Sequence, residues 1–286
     1  MLLRTYFHSA SVAFAACLAA SACAQTLRPV STPLNGVTLD AVDHLPNIVD
    51  SLSSMSRPIT ARIVFDEFVP ATDYLAATKK IYPVSYVMGE ILDSFYVKQY
   101  TTDAYRARAQ EYVDTLGAYV DIWEVGNEIN GEWLGDTASV VEKMTGAYDI
   151  VKAKSYRAAL TLYYNKDCWS RKDHEMFAWA TTNVPDRMKQ GLDYVLISYY
   201  EDDCNGLQPD WKPVFTQLHA MFPNSQIGFG EVGTRRSARK EAYMKRYYSM
   251  NIDVPNYVGG YFWWYFKQDA VPKTKPLWNV LNGLLR

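Results

Sequence analysis

The sequence is poor in histidine and cysteine, with four of each among 286 residues. The histidines are His8, His44, His174 and His219, and no two of them have H-x-H or H-E-x-x-H spacing. A zinc hydrolase needs two or three imidazoles at fixed offsets. The sequence therefore disfavours metal-dependent hydrolysis, and we expect no metal and no organic cofactor.

Other patterns that indicate a function are also missing. The chain contains no G-x-S-x-G nucleophile elbow and no G-x-x-x-x-G-K-[ST] phosphate loop. It has 29 Lys and Arg against 31 Asp and Glu, so it lacks the basic excess that is typical of nucleic-acid-binding proteins. Hydrophobic residues make up 49% and charged residues 21% of the chain, which is typical of a folded globular protein.

Residues 1–24 have the features of a secretory signal peptide. Arg4 supplies a positive charge, a short Ala-rich apolar run follows, and Cys23 lies between two alanines in an A-x-A cleavage signal. We expect an exported protein, periplasmic or secreted, whose mature chain is residues 25–286. The alternative is a lipid anchor at Cys23. No later apolar stretch is long enough to span a bilayer.

Short apolar runs alternate with helical patterns along the mature chain. The alternation of strand and helix indicates parallel strands, and eight such units predict a single (β/α)8 TIM barrel with short loops. A doubly wound sheet is the alternative. The predicted strands are Gly36–Asp40, Thr60–Asp66, Val84–Leu92, Asp121–Ile129, Ala158–Asn165, Asp193–Tyr200, Gln226–Gly233 and Gly259–Phe266.

One glycine motif resembles a dinucleotide-binding site. Residues 228–233 read G-x-G-x-x-G and follow a predicted strand. In a dinucleotide-binding fold this motif belongs to the first strand of the series, whereas here it belongs to the seventh. The sequence therefore predicts no nucleotide cofactor.

Two glutamates lie where predicted strands end. Glu128 is near the end of the fourth strand and Glu231 near the end of the seventh. In a (β/α)8 barrel, catalytic groups occupy the carboxyl ends of the strands, and these two ends face each other across the barrel mouth. A retaining glycosidase needs such a pair of carboxyl groups about 5–5.5 Å apart.

The segment Val125-Gly126-Asn127-Glu128, together with Glu231, resembles glycoside hydrolase clan A, the retaining (β/α)8 glycosidases. The resemblance implies that Glu128 is the acid/base and Glu231 the nucleophile. It also implies that Asn127 hydrogen-bonds the sugar 2-hydroxyl. Ile129 departs from the pattern, because many relatives have proline at that position.

The same resemblance implies further substrate-binding residues. Arg62 on the second strand is similar to the clan's arginine beside the nucleophile. Either Tyr199 or Tyr200 resembles the tyrosine that hydrogen-bonds the nucleophile. Either Trp263 or Trp264 resembles the tryptophan beneath the reacting sugar.

Two other glutamates compete with Glu128 for the acid role. Glu124 shares its strand parity but lies about one layer lower, so we expect it to be a core or supporting residue. Glu132 lies in the following loop, from which it could contact sugar.

The sequence thus predicts a retaining glycoside hydrolase, a monomer that cleaves a polysaccharide or oligosaccharide by double displacement. The short loops favour an open groove and an endo mode. The alternatives are a transglycosylase on the same scaffold and a non-catalytic glycan-binding barrel.

The mature chain would keep two cysteines, Cys168 and Cys204. They follow the predicted ends of the neighbouring fifth and sixth strands by nearly equal offsets. Their positions therefore predict a disulfide, which an oxidising compartment permits.

Overall fold

A computed structural model describes residues 27–286. The predicted signal peptide, residues 1–24, and the alternative anchor at Cys23 lie outside the described residues. Eight strands are described: β1 (Leu34–Leu39), β2 (Thr60–Val64), β3 (Tyr86–Glu90), β4 (Ile122–Glu124), β5 (Arg157–Tyr163), β6 (Tyr194–Tyr199), β7 (Gln226–Val232) and β8 (Gly259–Trp263).

Helices connect and follow the strands. The α-helices described are α1 (Leu45–Ser53), α2 (Ala71–Ile81), α3 (Thr102–Leu116), α4 (Thr137–Ala153), α5 (Met176–Asn183), α6 (Asp186–Gly191), α7 (Trp211–Met221), α8 (Lys240–Tyr248), α9 (Phe266–Ala270) and α10 (Pro276–Leu284). Short 3-10 helices lie at Ser94–Gln99, Gly117–Tyr119, Lys172–His174, Glu201–Asp203 and Ser237–Arg239.

The strands form a closed barrel in sequence order, from β1 to β8 and back to β1. Every neighbouring pair is parallel. The predicted (β/α)8 TIM barrel is therefore confirmed, and the doubly wound alternative is excluded.

The fourth strand is shorter than predicted. The sequence analysis extended it to Ile129, but β4 ends at Glu124. Beyond that point the chain keeps single hydrogen bonds to β5, such as Thr161 N to Gly126 O at 3.0 Å. Glu128 itself has φ 46°, which is left-handed backbone outside the range of a regular strand.

Each of the two longest helices begins at a side-chain cap. Thr101 accepts a hydrogen bond from the backbone N–H of Ala104 at the start of α3. Asp136 accepts one from Ser139 at the start of α4. Such caps satisfy N–H groups that have no partner within the helix. Both helices bury one apolar stripe against the sheet, as the 3.6-residue periodicity predicts.

The interior of the barrel changes from apolar to polar along its axis. Met88, Ile122, Leu196 and Phe262 belong to a buried apolar cluster inside the barrel. The strand positions two residues farther along β3 and β4 are occupied by buried glutamates instead of apolar residues. Because side chains alternate along a strand, these glutamates share the inward face, and the polar layer lies toward the carboxyl ends.

A β-bulge in β7 reverses the direction of its side chains. Ile197 of β6 is paired with Phe229, but the next residue, Ser198, is paired with Glu231. Gly230 is the extra residue, and a Cβ there would lie 2.8 Å from the Cβ of Leu196. By strict alternation Glu231 would point outward with Phe229. The bulge instead places Glu231 on the inward face.

Candidate active site

Arg62 lies at the centre of the polar layer and is completely buried. Its Nε is 2.6 Å from Glu124 Oε2, and its Nη2 is 3.2 Å from Glu124 Oε1. Its Nη1 is 2.7 Å from Glu231 Oε2. Nη2 also lies 3.0 Å from Glu90 Oε2, although neither Glu90 oxygen makes a hydrogen bond within the described part of the chain. One guanidinium therefore faces three buried carboxyl groups.

Glu124 supports Arg62 and does not line the pocket. Besides the two bonds from Arg62, it accepts a short hydrogen bond from the hydroxyl of Thr161 on β5. A bidentate carboxylate fixes the plane of a guanidinium. This geometry agrees with the interpretation of Glu124 as a supporting residue.

Glu231 is held by donors on both oxygens. Arg62 binds Oε2, and the phenol of Tyr200 donates to Oε1 at 2.5 Å. The pKa of Glu231 is raised by burial, and the positive charge of Arg62 and the Tyr200 hydrogen bond oppose this shift. Burial and the charge of Glu231 raise the pKa of Tyr200 well above its ordinary value, so Tyr200 remains a donor.

Among residues 27–286, the hydrogen-bond partners of the Glu128 carboxyl group are two hydroxyls, and no Lys or Arg forms an ion pair with it. Ser198 on β6 donates to Oε1 at 2.5 Å, and Ser94 donates to Oε2 at 2.9 Å. Burial, followed by the charge of Glu231, raises the pKa of Glu128 to about 8, and the two serines oppose this shift. The indole N–H of Trp133 in turn donates to Ser94 Oγ at 3.0 Å, which orients the Ser94 hydroxyl toward Glu128.

Both glutamates open onto one pocket of about 770 Å³ at the carboxyl ends of the strands. A pocket of this volume is in the range of small-ligand sites. Its walls come from the loops after β3 to β8, and its lining residues are Asp93, Ser94, Phe95, Asn127, Glu128, Trp133, Tyr163, Tyr200, Asp202, Asp203, Glu231, Thr234, Arg235, Arg236, Trp264 and Tyr265.

Asn127 is a buried pocket residue with an unused donor. It is 3% exposed, and its Nδ2 has no hydrogen-bond partner among residues 27–286. Because a buried polar group without a partner is costly, such a donor facing a pocket is suited to a ligand oxygen.

The structure shows which of the two adjacent tyrosines, and which of the two adjacent tryptophans, faces the pocket. Tyr200 and Trp264 line the pocket, and Trp264 lies over the Arg62 guanidinium at 5.8 Å. Tyr199 is buried on the opposite side of β6, where its hydroxyl donates to Leu207 O at 2.6 Å. Trp263 is likewise buried and donates to Asp269 at 2.9 Å.

Tyr199 and Trp263 are therefore removed from the candidate substrate-binding residues. The physical reason is that consecutive residues near a strand end point to opposite sides of the sheet. Only one residue of each pair can face the barrel mouth.

Glu132 is placed outside the pocket. Its carboxylate accepts hydrogen bonds from the backbone N–H groups of Ser170 and Arg171 at 2.7 and 3.0 Å. It therefore joins the loop after β4 to the loop after β5 and has a structural role there.

Cys168 and Cys204 form a disulfide, with their Cα atoms 5.2 Å apart. The bond joins the loop after β5 to the loop after β6, as the offsets from the strand ends predicted. It lies beside Tyr199, whose hydroxyl binds Leu207 three residues beyond Cys204.

Sequence reasoning missed Ser94 and Ser198 as partners of Glu128. Ser198 could have been found, because Leu196 two residues earlier faces the barrel interior and alternation puts Ser198 on the same face. Ser94 gave no such signal, since it begins a 3-10 helix that no periodic pattern predicted.

Within residues 27–286, no group of three or more His, Cys, Asp or Glu side chains is arranged to hold a metal ion. None of the helices described there is long and apolar enough to cross a membrane.

Several solved structures have a similar fold. Saccharomyces cerevisiae Gas2p with laminaritriose and laminaritetraose is 12% identical, covers 89% of this chain and 64% of its own, and has a TM-score of 0.54. Gas2p with laminaripentaose is 12% identical, with 89% and 65% covered and a TM-score of 0.57. A beta-glucosidase in its apo form is 16% identical, with 83% and 81% covered and a TM-score of 0.50.

These likenesses show the fold, which is the barrel implied by the resemblance to glycoside hydrolase clan A. The chain spans slightly less than two thirds of the length of Gas2p. No family model and no curated protein matches the sequence.

Proposed function

We propose that this protein is an exported, retaining glycoside hydrolase in which Glu231 is the nucleophile and Glu128 the acid/base. The observation that carries the proposal is the contrast between two carboxyl groups in one pocket. Glu231 is bound by a guanidinium and a phenol, whereas Glu128 has two serine hydroxyls and a pKa raised to about 8. Two carboxyl groups whose surroundings separate their pKa values in this way are typical of the acid and base pair of an active site.

The different surroundings of Glu128 and Glu231 determine which of the two carboxyl groups is protonated. Arg62 stabilises a negative charge on Glu231, whereas no Lys or Arg in the described part of the chain forms an ion pair with Glu128. Around neutral pH, the proton therefore occupies Glu128 and the charge occupies Glu231. This is the resting state that double displacement needs, with an ionised nucleophile and a protonated acid.

In the first step, Glu231 attacks the anomeric carbon while the proton of Glu128 moves to the departing glycosidic oxygen. The covalent glycosyl ester lowers the charge on Glu231, and Glu128 becomes a carboxylate. In the second step, Glu128 takes a proton from water, and the resulting hydroxide displaces Glu231 from the sugar. Ser94 and Ser198 stabilise the Glu128 carboxylate that exists between the two steps.

Two further residues would bind the sugar at the site of cleavage, and a third would act through the nucleophile. The free Nδ2 of Asn127 is suited to the 2-hydroxyl, where a contact strengthens in the transition state. Trp264 would provide a ring face beneath the sugar, and Arg62 would keep Glu231 ionised. No metal or organic cofactor takes part in this mechanism.

The proposal also covers export of the protein and the boundaries of its mature chain. Residues 1–24 would be removed as a signal peptide, or Cys23 would carry a lipid, and residues 25–286 would form the catalytic barrel. The Cys168–Cys204 disulfide supports export, because such bonds persist in oxidising compartments. We propose a monomer with an endo mode of action.

The test is to incubate the mature protein with a panel of glycans and to analyse the products by mass spectrometry and proton NMR. Laminari-oligosaccharides head the panel because Gas2p binds them. Retention of anomeric configuration supports the mechanism, whereas inversion would contradict it. Products longer than the substrate would indicate a transglycosylase. Binding without any conversion would indicate a glycan-binding barrel.

A further inference from the structure

Phe95 is a large apolar side chain at the rim of the pocket, and it is 58% exposed. Exposing an aromatic ring to water is unfavourable, and exposed apolar groups beside a pocket often contact a ligand. The described residues include three other large exposed hydrophobic side chains, Phe68, Trp169 and Leu207, and none of the three lines this pocket.

The segment that carries Phe95 is fixed to the acid/base. Ser94 is buried and bonded to both Glu128 Oε2 and Trp133 Nε1. Asp93 caps the following 3-10 helix by accepting a hydrogen bond from Phe95 N at 2.8 Å. The rim is thus positioned by bonds from the two residues that precede Phe95, and little ordering of the backbone would be needed when a ligand binds.

Asp93 also lines the pocket and has an unused acceptor. Its Oδ1 binds Phe95 N, and its Oδ2 makes no hydrogen bond to residues 27–286. In this part of the chain no Lys, Arg or His forms an ion pair with it. Burial raises the pKa of Asp93, as is expected of a carboxyl group with few partners.

The ring of Phe95 has room for a flat ligand. Tyr96 meets it edge-on, at 5.3 Å and 83°. The Lys98 ammonium lies 5.6 Å from the ring centroid. More than half of the side chain nevertheless remains in contact with solvent.

We infer that Asp93 and Phe95 form a sugar-binding subsite adjacent to, and separate from, the position at which the bond is cleaved. An aromatic face packs against the C–H face of a pyranose, and a carboxylate accepts hydrogen bonds from its hydroxyls. The inference rests on the proposed function only in the choice of substrate, since glycan binding can be measured without turnover.

The experiment compares the wild type with Phe95→Ala, Asp93→Asn and the control Phe68→Ala. Phe68 is 67% exposed on the same end of the barrel, but it stacks on Tyr100 and lies outside the pocket. Asp93→Asn keeps an oxygen for the Phe95 N–H, removes the charge and replaces the second acceptor oxygen with an NH2 donor. Each variant is assayed on the series from laminaribiose to laminarihexaose, or on the matching series of whichever glycan the wild type cleaves.

A dinitrophenyl monosaccharide of the same sugar is the reference substrate, because it has no second sugar unit. Phe95→Ala should lower kcat/KM on the longest oligosaccharide by about 10-fold, mainly through KM. It should leave kcat/KM on the reference substrate and the thermal midpoint unchanged. Asp93→Asn should also raise KM for the longest oligosaccharide, and Phe68→Ala should have no effect on either substrate.

Equal losses on the oligosaccharide and on the reference substrate would overturn the subsite, as would an equal loss in Phe68→Ala. If the wild type cleaves no glycan, the same variants are compared by calorimetric binding of laminarihexaose. Weaker binding in Phe95→Ala and in Asp93→Asn, but not in Phe68→Ala, would then support the subsite while the proposed hydrolase activity fails. Absence of binding by the wild type to every glycan of the panel would overturn both.

Discussion

The hydroxyl of Tyr200 lies 2.5 Å from Oε1 of Glu231, whereas the hydroxyl of the preceding residue, Tyr199, lies 2.6 Å from a backbone oxygen outside the pocket. Two adjacent tyrosines of the same strand end thus make hydrogen bonds of similar length to very different acceptors. The two tyrosines can therefore be compared directly. The hydrogen bond of Tyr200 would affect catalysis, whereas that of Tyr199 stabilises the fold.

Tyr200→Phe removes a hydrogen bond to a charged group and should lower kcat by about 10- to 100-fold, since such bonds contribute about 1.5–3 kcal/mol. Tyr199→Phe is the matched control and should lower the thermal midpoint while leaving kcat unchanged. Steady-state kinetics and thermal melts of both variants measure these effects. The assignment of Tyr200 would be withdrawn if the two variants lost activity equally.

Glu231→Gln should abolish turnover and leave glycan binding intact. Loss of the nucleophile removes the covalent route, which corresponds to about 5 kcal/mol or more in the activation barrier. A 2-fluoro glycosyl inhibitor that matches the substrate should label Glu231, as peptide mass spectrometry will show. Labelling of a different carboxylate would contradict the assignment.

Glu128→Ala should abolish most activity on natural glycans, because these need a proton on the leaving oxygen. Activity should fall less on dinitrophenyl glycosides, whose leaving group needs no proton, and added azide should restore part of the rate. Glu132→Ala is the control and should keep normal activity on both substrates. Azide rescue in Glu132→Ala would show that the acid had been assigned to the wrong residue.

The pH dependence should follow the protonation states of the two glutamates. Since the pKa of Glu128 is raised to about 8, the acid keeps its proton at neutral pH. We therefore expect kcat/KM to fall as the pH rises through about 8. It should also fall in acid, where Glu231 becomes protonated.

Ser198→Ala removes a donor that stabilises the ionised form of Glu128. The pKa of Glu128 should therefore rise, and the alkaline limb of the profile should move to higher pH by about one unit. Ser225→Ala, which removes a buried serine hydroxyl far from the pocket, should leave the limb unchanged. A shift to lower pH in Ser198→Ala would contradict this account of the acid.

Reduction of the Cys168–Cys204 disulfide should add the mass of two hydrogens to the intact protein. The bond closes a loop with a sequence separation of 36 residues, so chain entropy predicts a loss of about 3–4 kcal/mol of folding stability. Cys168→Ser with Cys204→Ser should lower the thermal midpoint accordingly, as calorimetry will measure. Free thiols in the oxidised, exported protein would contradict the pairing.

Much of the fold could be predicted from the sequence, because strand and helix periodicities are local properties of the chain. All eight strands lie within or next to their predicted ranges. The error at β4 arose because apolar residues such as Val125 and Ile129 continue past the point where the strand ends. Both are buried in the main hydrophobic core although they lie beyond the strand, and the periodicity of the sequence does not distinguish such residues from strand residues.

The candidate active site was less predictable than the fold, because its geometry depends on places where the chain departs from regular strand alternation. Alternation alone would point Glu231 outward with Phe229, and only the bulge at Gly230 turns it toward Arg62. A resemblance could identify Glu231 without explaining this geometry. Asp93 and Phe95 lie in a segment whose position depends on long-range bonds from Ser94, and no local pattern encodes such bonds.

Under the proposed mechanism, Glu128 is a catalytic residue held in left-handed backbone, with φ 46°, so stability and activity favour different residues at this position. A non-glycine residue in this conformation costs about 1 kcal/mol or more, and burial of its carboxyl group adds a desolvation cost. Glycine or asparagine would adopt the same backbone more easily. Selection for thermostability alone would therefore favour replacement of Glu128, and a library screened without an activity assay would be enriched in stable, inactive barrels.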